Sequence, residues 1–423
     1  MAEEAVYPDQ GAAAPVSIAE RITSLDFIRG LAVMGILAAN IIAFGQPFSA
    51  YMYPPSFLVP ADDPGGWMWI TQFVLIDGKM RGLFTLLFGA GLFLFMERAW
   101  ARGQTRWRQA LRLLFLLMFG IIHFFFIWPG DILMFYAVGG LIALPMLKWE
   151  ASTQLKVGLI GYLVGCILYA LMMAFPALVT ETAVGQQPAF SETLSELEAG
   201  KLEAIADEAA PNTLIQTGDY LGLVAHRFAE QWMDPLFGFM IFWLETVPLI
   251  LVGMALYRMG FFSGGMDRSK MLKWGWIGLG SGAILTLLIA LWVQSTGFSY
   301  YATLAGFMGL SMLPRLFMVL GLAALLVVAS PSVTGWLGQR VVAAGRAAFT
   351  NYLGTSILML FVFHGWALGL FGELNRPQLY LVVVATWVVM LAWSKPWLER
   401  FRYGPLEWLW RCLTYGKLFP LKR

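Results

Sequence analysis

Apolar runs long enough to cross a bilayer recur along the whole chain, and they constrain the fold more than any motif does. A helix needs about 20 apolar residues to span the hydrocarbon core, and lipid offers no partner to an open sheet edge. Of the 423 residues, 59% are hydrophobic and 13% charged, against about 25% charged in a soluble domain. The sequence reads as an all-α polytopic membrane protein with about ten transmembrane helices.

Charge placement gives the expected topology. Residues 1–24 form an acidic, Ala-rich tail without the basic start of a signal peptide, and its first 20 residues read as disordered. Spans are expected near 25–44, 77–96, 111–128, 131–148 and 157–178, then near 236–257, 274–294, 303–328, 347–371 and 378–394. The stretch WMWITQFVLI, 67–76, is too short to span and should lie in the interface or enter partway. Glu97 to Arg112 holds five arginines and one glutamate, whereas Thr180 to Tyr220 holds eight acidic residues and one lysine. By the positive-inside rule the first is cytoplasmic and the second external. The expected order is a cytoplasmic tail (1–24), an N-terminal five-helix half (25–178), an external helical loop (179–235), a C-terminal five-helix half (236–398) and a cytoplasmic amphipathic tail (399–423). Both termini fall inside. Within the tail, GPLEWLWRCLTY reads as an interfacial helix, with Glu407 able to pair with a basic loop residue. Two cysteines, Cys166 in an apolar run and Cys412 in a basic segment, do not suit a disulfide, and with three histidines they form no metal-ligand cluster. The net charge of +2 is segregated by loop and implies no nucleic-acid partner.

Ionisable groups inside spans are costly and point to function. Arg112 and His123 are eleven residues apart in RLLFLLMFGIIHFFFIWPGDI, which places them on one helical face roughly 16 Å apart. Trp128-Pro129-Gly130 should form a tight outer turn, and Asp131 can cap the next helix and approach His123. A histidine oriented by a carboxylate is a candidate general base. On the first span Asp26 and Arg29 can pair, and Asn40 shares the face of Arg29. Asp77, Lys79 and Arg81 either start a solvated helix or line a cavity mouth that receives an anionic group. Glu245 and Arg315 fall mid-span and can neutralise each other. His364 falls in the outer half of the ninth span, and His226 and Arg227 lie on an outer amphipathic segment. Gly82, Gly89 and Gly91 read as helix-packing positions.

Several blocks also resemble a known family. Leu25-Asp26-Phe27-Ile28-Arg29-Gly30, Phe84-Thr85-Leu86-Leu87-Phe88-Gly89-Ala90-Gly91 and Gly130-Asp131-Ile132-Leu133 are similar to signatures of the YeiB-like bacterial membrane proteins. Gly345-Arg346, Thr350-Asn351-Tyr352-Leu353 and Tyr403-Gly404-Pro405-Leu406-Glu407-Trp408 resemble that family's carboxy-terminal domain of unknown function. The resemblance implies a place among transmembrane acyltransferases, which include heparan-α-glucosaminide N-acetyltransferase. It implies a bacterial inner-membrane location, with acyl-CoA as co-substrate and no covalently bound cofactor. The spacing of Arg112 and His123 is similar to an arginine–ten residues–histidine pattern in another membrane acyltransferase group. By that similarity Arg112 lies near the donor and His123 near the transfer centre.

The leading expectation is therefore acyl transfer to an external glycan, lipid or small molecule. His123 would be the base, Asp131 its orienter, Asn40 an oxyanion donor, and Arg29 and Arg112 the contacts to the donor's phosphates. Asp77, Lys79, Arg81, Arg315, Glu245 and His364 would serve the acceptor. The competing expectation is a transporter or flippase for an amphipathic anion. A scaffold without chemistry does not account for the buried charges. The oligomeric state, a homodimer included, stays open.

Overall fold

The structure is a computed structural model that describes residues 22–423; most of the expected N-terminal tail lies outside the described residues. Among the described residues the chain is helical and without strands, apart from an isolated bridge between Phe401 and Lys422. The first crossing is α1 (Thr23–Gly45), and α2 (Trp67–Leu75) leads into α3 (Lys79–Trp100). Then follow α4 (Arg106–Ile122), α5 (Leu133–Ala143) and α6 (Ala151–Glu181). Three short helices, α7 (Ser191–Ala206), α8 (Ala209–Thr217) and α9 (Tyr220–Glu230), separate these from α10 (Asp234–Arg258). The remainder comprises α11 (Arg268–Ser295), α12 (Tyr300–Leu304), α13 (Met312–Ala329), α14 (Trp336–Arg346), α15 (Ala348–Phe363), α16 (Arg376–Arg400) and α17 (Pro405–Tyr415).

Eight helices among the described residues are long and apolar enough to cross a membrane, or nine if α14 and α15, bent by 87°, form one span. The apolar segment Leu133–Lys148 is shorter. This is a multi-pass membrane protein. Hydrogen bonds between connections show which segments share an end of the bundle. At one end, Arg258 donates to the Trp149 carbonyl, Tyr257 donates to Glu97 at 2.6 Å, and Arg340 donates to the Leu391 carbonyl at 2.8 Å. This is the basic end. At the other, the Ser49 amide donates to Glu208 at 2.8 Å, the Gly365 amide to the Ile215 carbonyl at 2.9 Å, and Tyr301 to the Leu197 carbonyl at 2.6 Å. This is the acidic end, where α7, α8 and α9 sit.

Packing is tightest where side chains vanish. A Cβ on Gly345 would lie 1.8 Å from the Asp26 carbonyl oxygen, and one on Gly30 would lie 2.1 Å from that of Val341. The two glycines therefore let α1 and α14 touch backbone to backbone. Helix starts use local caps: Thr105 accepts from Trp107, Asp267 from Lys270, and Asn375 and Gln378 form a reciprocal capping box on α16.

The chain departs from the sequence-based picture in four places. The 67–76 stretch is not an isolated surface segment: Trp69, Ile70, Phe73 and Val74 of α2 are buried with Ala290 and Val293 of α11, and the chain turns at Gly78 straight into α3. The eighth span is broken, because α12 passes into a π-turn at Ala305–Leu310, so Arg315 stands in the first turn of α13 rather than mid-helix. The ninth helix stops at Phe363, which puts His364 at its C-cap in extended conformation (φ −75°, ψ 142°) and not within a span. Gly369 and Gly372, at φ +66° and +77°, turn the chain back there, where helix cannot continue. Finally, α17 is not an interfacial helix on its own. Trp410 donates to the Arg112 carbonyl at 2.8 Å and packs on Phe349, so α17 closes against α4 and α15.

Candidate functional site

Residue by residue, the site begins at the α4–α5 connection. Apolar helix α4 ends at Ile122, and His123–Ile127 forms a π-turn, a wide backbone form frequent at functional positions. Trp128, Pro129 and Gly130 reverse the chain, and Asp131 follows. The Asp131 carboxylate accepts from the Met134 amide at 2.7 Å, which caps α5, and its other oxygen lies 2.8 Å from His123 Nδ1. His123 is fully buried, and its Nε2 has no hydrogen-bond partner among the described residues. With Nδ1–H donated to Asp131, Nε2 is the basic nitrogen. The Tyr352 ring of α15 stands 5.2 Å from the imidazole, centroid to centroid, and its hydroxyl accepts from the Ile132 amide at 3.3 Å. Helix α9 covers part of the turn, with Tyr220 and Arg227 donating to the Phe126 and Phe125 carbonyls at 2.6 and 3.2 Å, while the Phe126 ring stays exposed.

Two cavities meet at this turn. The first, about 540 Å³, opens toward the acidic end and is lined by Asn40, Arg81, Asp131, Glu245, Arg315 and His364 among others. The second, about 340 Å³, opens toward the basic end and is lined by Arg29, Arg98, Arg102, Arg112, Arg346 and Arg411 with aromatic side chains between them. Ile132 lines both. Tyr352 and Tyr136 line the basic-end cavity, while Phe124 and Trp128 line the other. His123 lines neither and sits inside the wall between them.

In the acidic-end cavity Glu245 accepts from Arg81 at 2.6 Å and from Arg315 at 3.1 Å. Arg315 also donates to the Phe307 carbonyl, at 2.9 Å, and to Ser311. Gly78, at φ +70°, makes room: a Cβ there would lie 2.3 Å from Arg315 Nε. Of the three alternating charges that begin α3, Arg81 alone reaches the cavity. Lys79 turns inward and donates to the Phe73 carbonyl at 2.5 Å, and Asp77 is held by Gln72 and Tyr51. His226 lines neither cavity.

In the basic-end cavity the Arg112 guanidinium lies 4.2 Å from the Trp410 ring and 4.7 Å from that of Phe95. Arg29 pairs with Asp26 at 3.0 Å. Glu407 is turned away from the basic loops. It accepts the Phe349 and Thr350 amides, at 2.8 and 3.1 Å, at the start of α15, where a carboxylate suits the helix dipole. Burial holds its carboxyl above the usual range.

Sequence reasoning missed Tyr352, Tyr136, Glu208 and Arg376. Arg376 is fully buried, donates to Gln72 at 3.1 Å and lies 3.5 Å from Asp63, fastening α16 to α2 and to the segment before it. It sat at a span boundary, where an arginine reads as an anchor. Among the described residues no group of histidine, cysteine and carboxylate side chains is placed to hold a metal.

Comparison with known proteins agrees with the resemblance. Residues 256–417 match the family described as "Protein of unknown function (DUF418)". The chain is 32% identical over 417 residues to the "Uncharacterized protein YeiB" of Escherichia coli (strain K12), covering 95% of this chain and 98% of that protein. It is 28% identical to the "Uncharacterized protein YxaH" of Bacillus subtilis (strain 168), covering 97% and 98%. No solved structure matches. Similarity at this level over nearly the whole of both chains means that the chain belongs to the YeiB-like family.

Proposed function

We propose that this protein is a transmembrane acyltransferase of the bacterial inner membrane, with its basic end in the cytoplasm. An acyl-CoA-type donor would enter the basic-end cavity, and a hydroxyl or amine acceptor the acidic-end cavity. The observation that carries this reading is the shared wall. Two cavities approach from opposite ends and are separated at Ile132 by the buried His123–Asp131 pair.

The donor's phosphates meet Arg29 and Arg112, and its thioester lies against the wall. The acceptor X–H attacks the carbonyl carbon, His123 Nε2 takes the proton, and Asn40 donates to the developing oxyanion. The C–S bond then breaks, and the thiolate leaves with the proton from His123. Asp131 keeps the imidazole in the required tautomer throughout. Because His123 is fully buried, the wall has to open for contact, and the Tyr352 ring is the side chain beside it that can swing away.

The test uses sealed inner-membrane vesicles supplied with radiolabelled acyl-CoA on the cytoplasmic side. Label should appear in acceptor on the opposite side, and His123→Ala should remove it, read on protein that is still expressed and unfolds cooperatively. Unaltered turnover in His123→Ala would overturn the assignment. Movement of an amphipathic anion without any donor would favour transport instead.

A further inference from the structure

The wall of the acidic-end cavity changes character along α10. Its residues 245–255 are all buried, whereas none of residues 234–244 is. In the unburied half Pro235, Gly238, Ile241 and Phe242 form a helical stripe that lines the cavity. The opposite stripe faces outward: Leu236, Phe237, Met240 and Trp243 are 52%, 55%, 61% and 44% exposed. These apolar side chains lie on a crossing helix, so they face lipid. One helix thickness therefore separates the cavity from the bilayer. Pro248 offers no N–H to the Leu244 carbonyl, so the helix is weakened where the two halves join. The seam to α5 is made of rings: Phe135 stands 6.0 Å from Phe242, and a Cβ on Gly238 would meet Phe135 at 2.9 Å.

Inside, one buried ring nitrogen has no hydrogen-bond partner among the described residues: Nδ1 of His364, which is 6% exposed and lines the cavity. Arg81 is 27% exposed along its side chain and lies over the Phe242 ring at 4.4 Å. With Arg315 it brings two positive charges to the single carboxylate of Glu245. Asp131, Asp207, Glu208 and Asp234 also line the cavity, Asp131 held by His123 and Glu208 by Ser49, so the positive charge gathers locally at Arg81 and Arg315.

We infer that the acceptor is a bilayer lipid with a phosphate-bearing head group. It would enter sideways past the N-terminal half of α10, its head group on Arg81 and His364 and its acyl chain running from the cavity past Gly238 and Phe242 into the membrane. This rests on the reading of the acidic-end cavity as the acceptor side and names the acceptor's class.

The experiment uses phosphatidylglycerol with a diazirine-bearing acyl chain in phosphatidylethanolamine vesicles containing the full chain, without any acyl donor. After photolysis, mass spectrometry locates the label. We expect it on Gly238, Ile241 and Phe242 and, across the cavity, on Phe44 and Met359, as well as on the outward stripe. His364→Leu should reduce the cavity label by at least about tenfold and spare the outward stripe. Arg81→Gln, read on protein that still unfolds cooperatively, should do the same. Label confined to Leu236, Phe237, Met240 and Trp243 would overturn the proposal. Transfer to a water-soluble acceptor with an unlabelled cavity would overturn it while keeping the acyltransferase reading. Cavity label that persists with no transfer on adding donor would do the reverse.

Discussion

In the acidic-end cavity Arg81 and Arg315 share the carboxylate of Glu245, and Arg315 also reaches a carbonyl and a serine hydroxyl. In the basic-end cavity Arg112 meets two aromatic rings. A desolvated guanidinium tied to a carboxylate holds helices together, here α3, α10 and α13. A guanidinium stacked on rings keeps its N–H donors directed elsewhere, toward whatever enters. Arg315 thus serves the fold, Arg81 both the fold and the cavity it lines, and Arg112 a ligand.

The sharpest way to break this comparison is to remove Glu245. Glu245→Ala leaves two cations facing each other in a low-dielectric cavity, and losing one partner of a buried pair costs about 3–5 kcal/mol. The thermal midpoint in detergent should collapse. Glu245→Gln with Arg315→Met, which removes charge from both sides, should recover most of it. If Glu245→Ala unfolds at the wild-type temperature, the triad does not hold the helices.

The basic end should answer in the opposite sense. Arg112→Leu gives up cation–π contact worth about 1–2 kcal/mol at most, partly offset by the desolvation it no longer suffers. Its stability should stay close to wild type. Binding of CoA, measured by calorimetry on purified protein, should weaken by about tenfold or more, or about 1.4 kcal/mol. A large fall in stability with unchanged CoA affinity would place Arg112 with the structural cations and erase the difference between the cavities.

How far the sequence carried depended on distance along the chain. That Asp131 could approach His123 was legible, because eight residues and a Pro-Gly turn keep them close; their contact at 2.8 Å was not, since it depends on the π-turn geometry. The Glu245–Arg315 pair was legible as chemistry, since two opposite charges buried in spans need each other. Arg81 as the third member was not, because the left-handed Gly78 decides which of Asp77, Lys79 and Arg81 faces the cavity, and alternation along the sequence does not reveal that. Tyr352 lies 220 residues from the amide it bonds, so its place beside His123 is set entirely by helix packing. His364 was assigned to a span because the apolar run continues past Phe363, whereas the glycines that follow end the helix there. Most crossings were legible from apolar length; the π-turns at His123 and Ala305 were not, because an i+5 ladder leaves no periodic signal so short.

The smallest expected effect concerns the cap that links α17 to α15. Glu407 accepts two α15 amides, and its raised pKa means that the folded state binds its proton more tightly than the unfolded chain does. Where the folded group is protonated and the unfolded one is not, stability falls as pH rises, and the loss is complete above the folded pKa. From the ordinary carboxylate range upward, then, wild-type stability should decline with pH through this group. Glu407→Gln, which cannot ionise and keeps one acceptor, should lower stability by about 1 kcal/mol at low pH and show a flatter pH profile. Because α15 carries Tyr352 to the wall, the same variant should alter donor turnover more than acceptor labelling. An unchanged pH profile would mean that the Glu407 carboxyl titrates alike in the folded and unfolded chain, and that α17 closes the basic-end cavity through Trp410 and Arg112 alone.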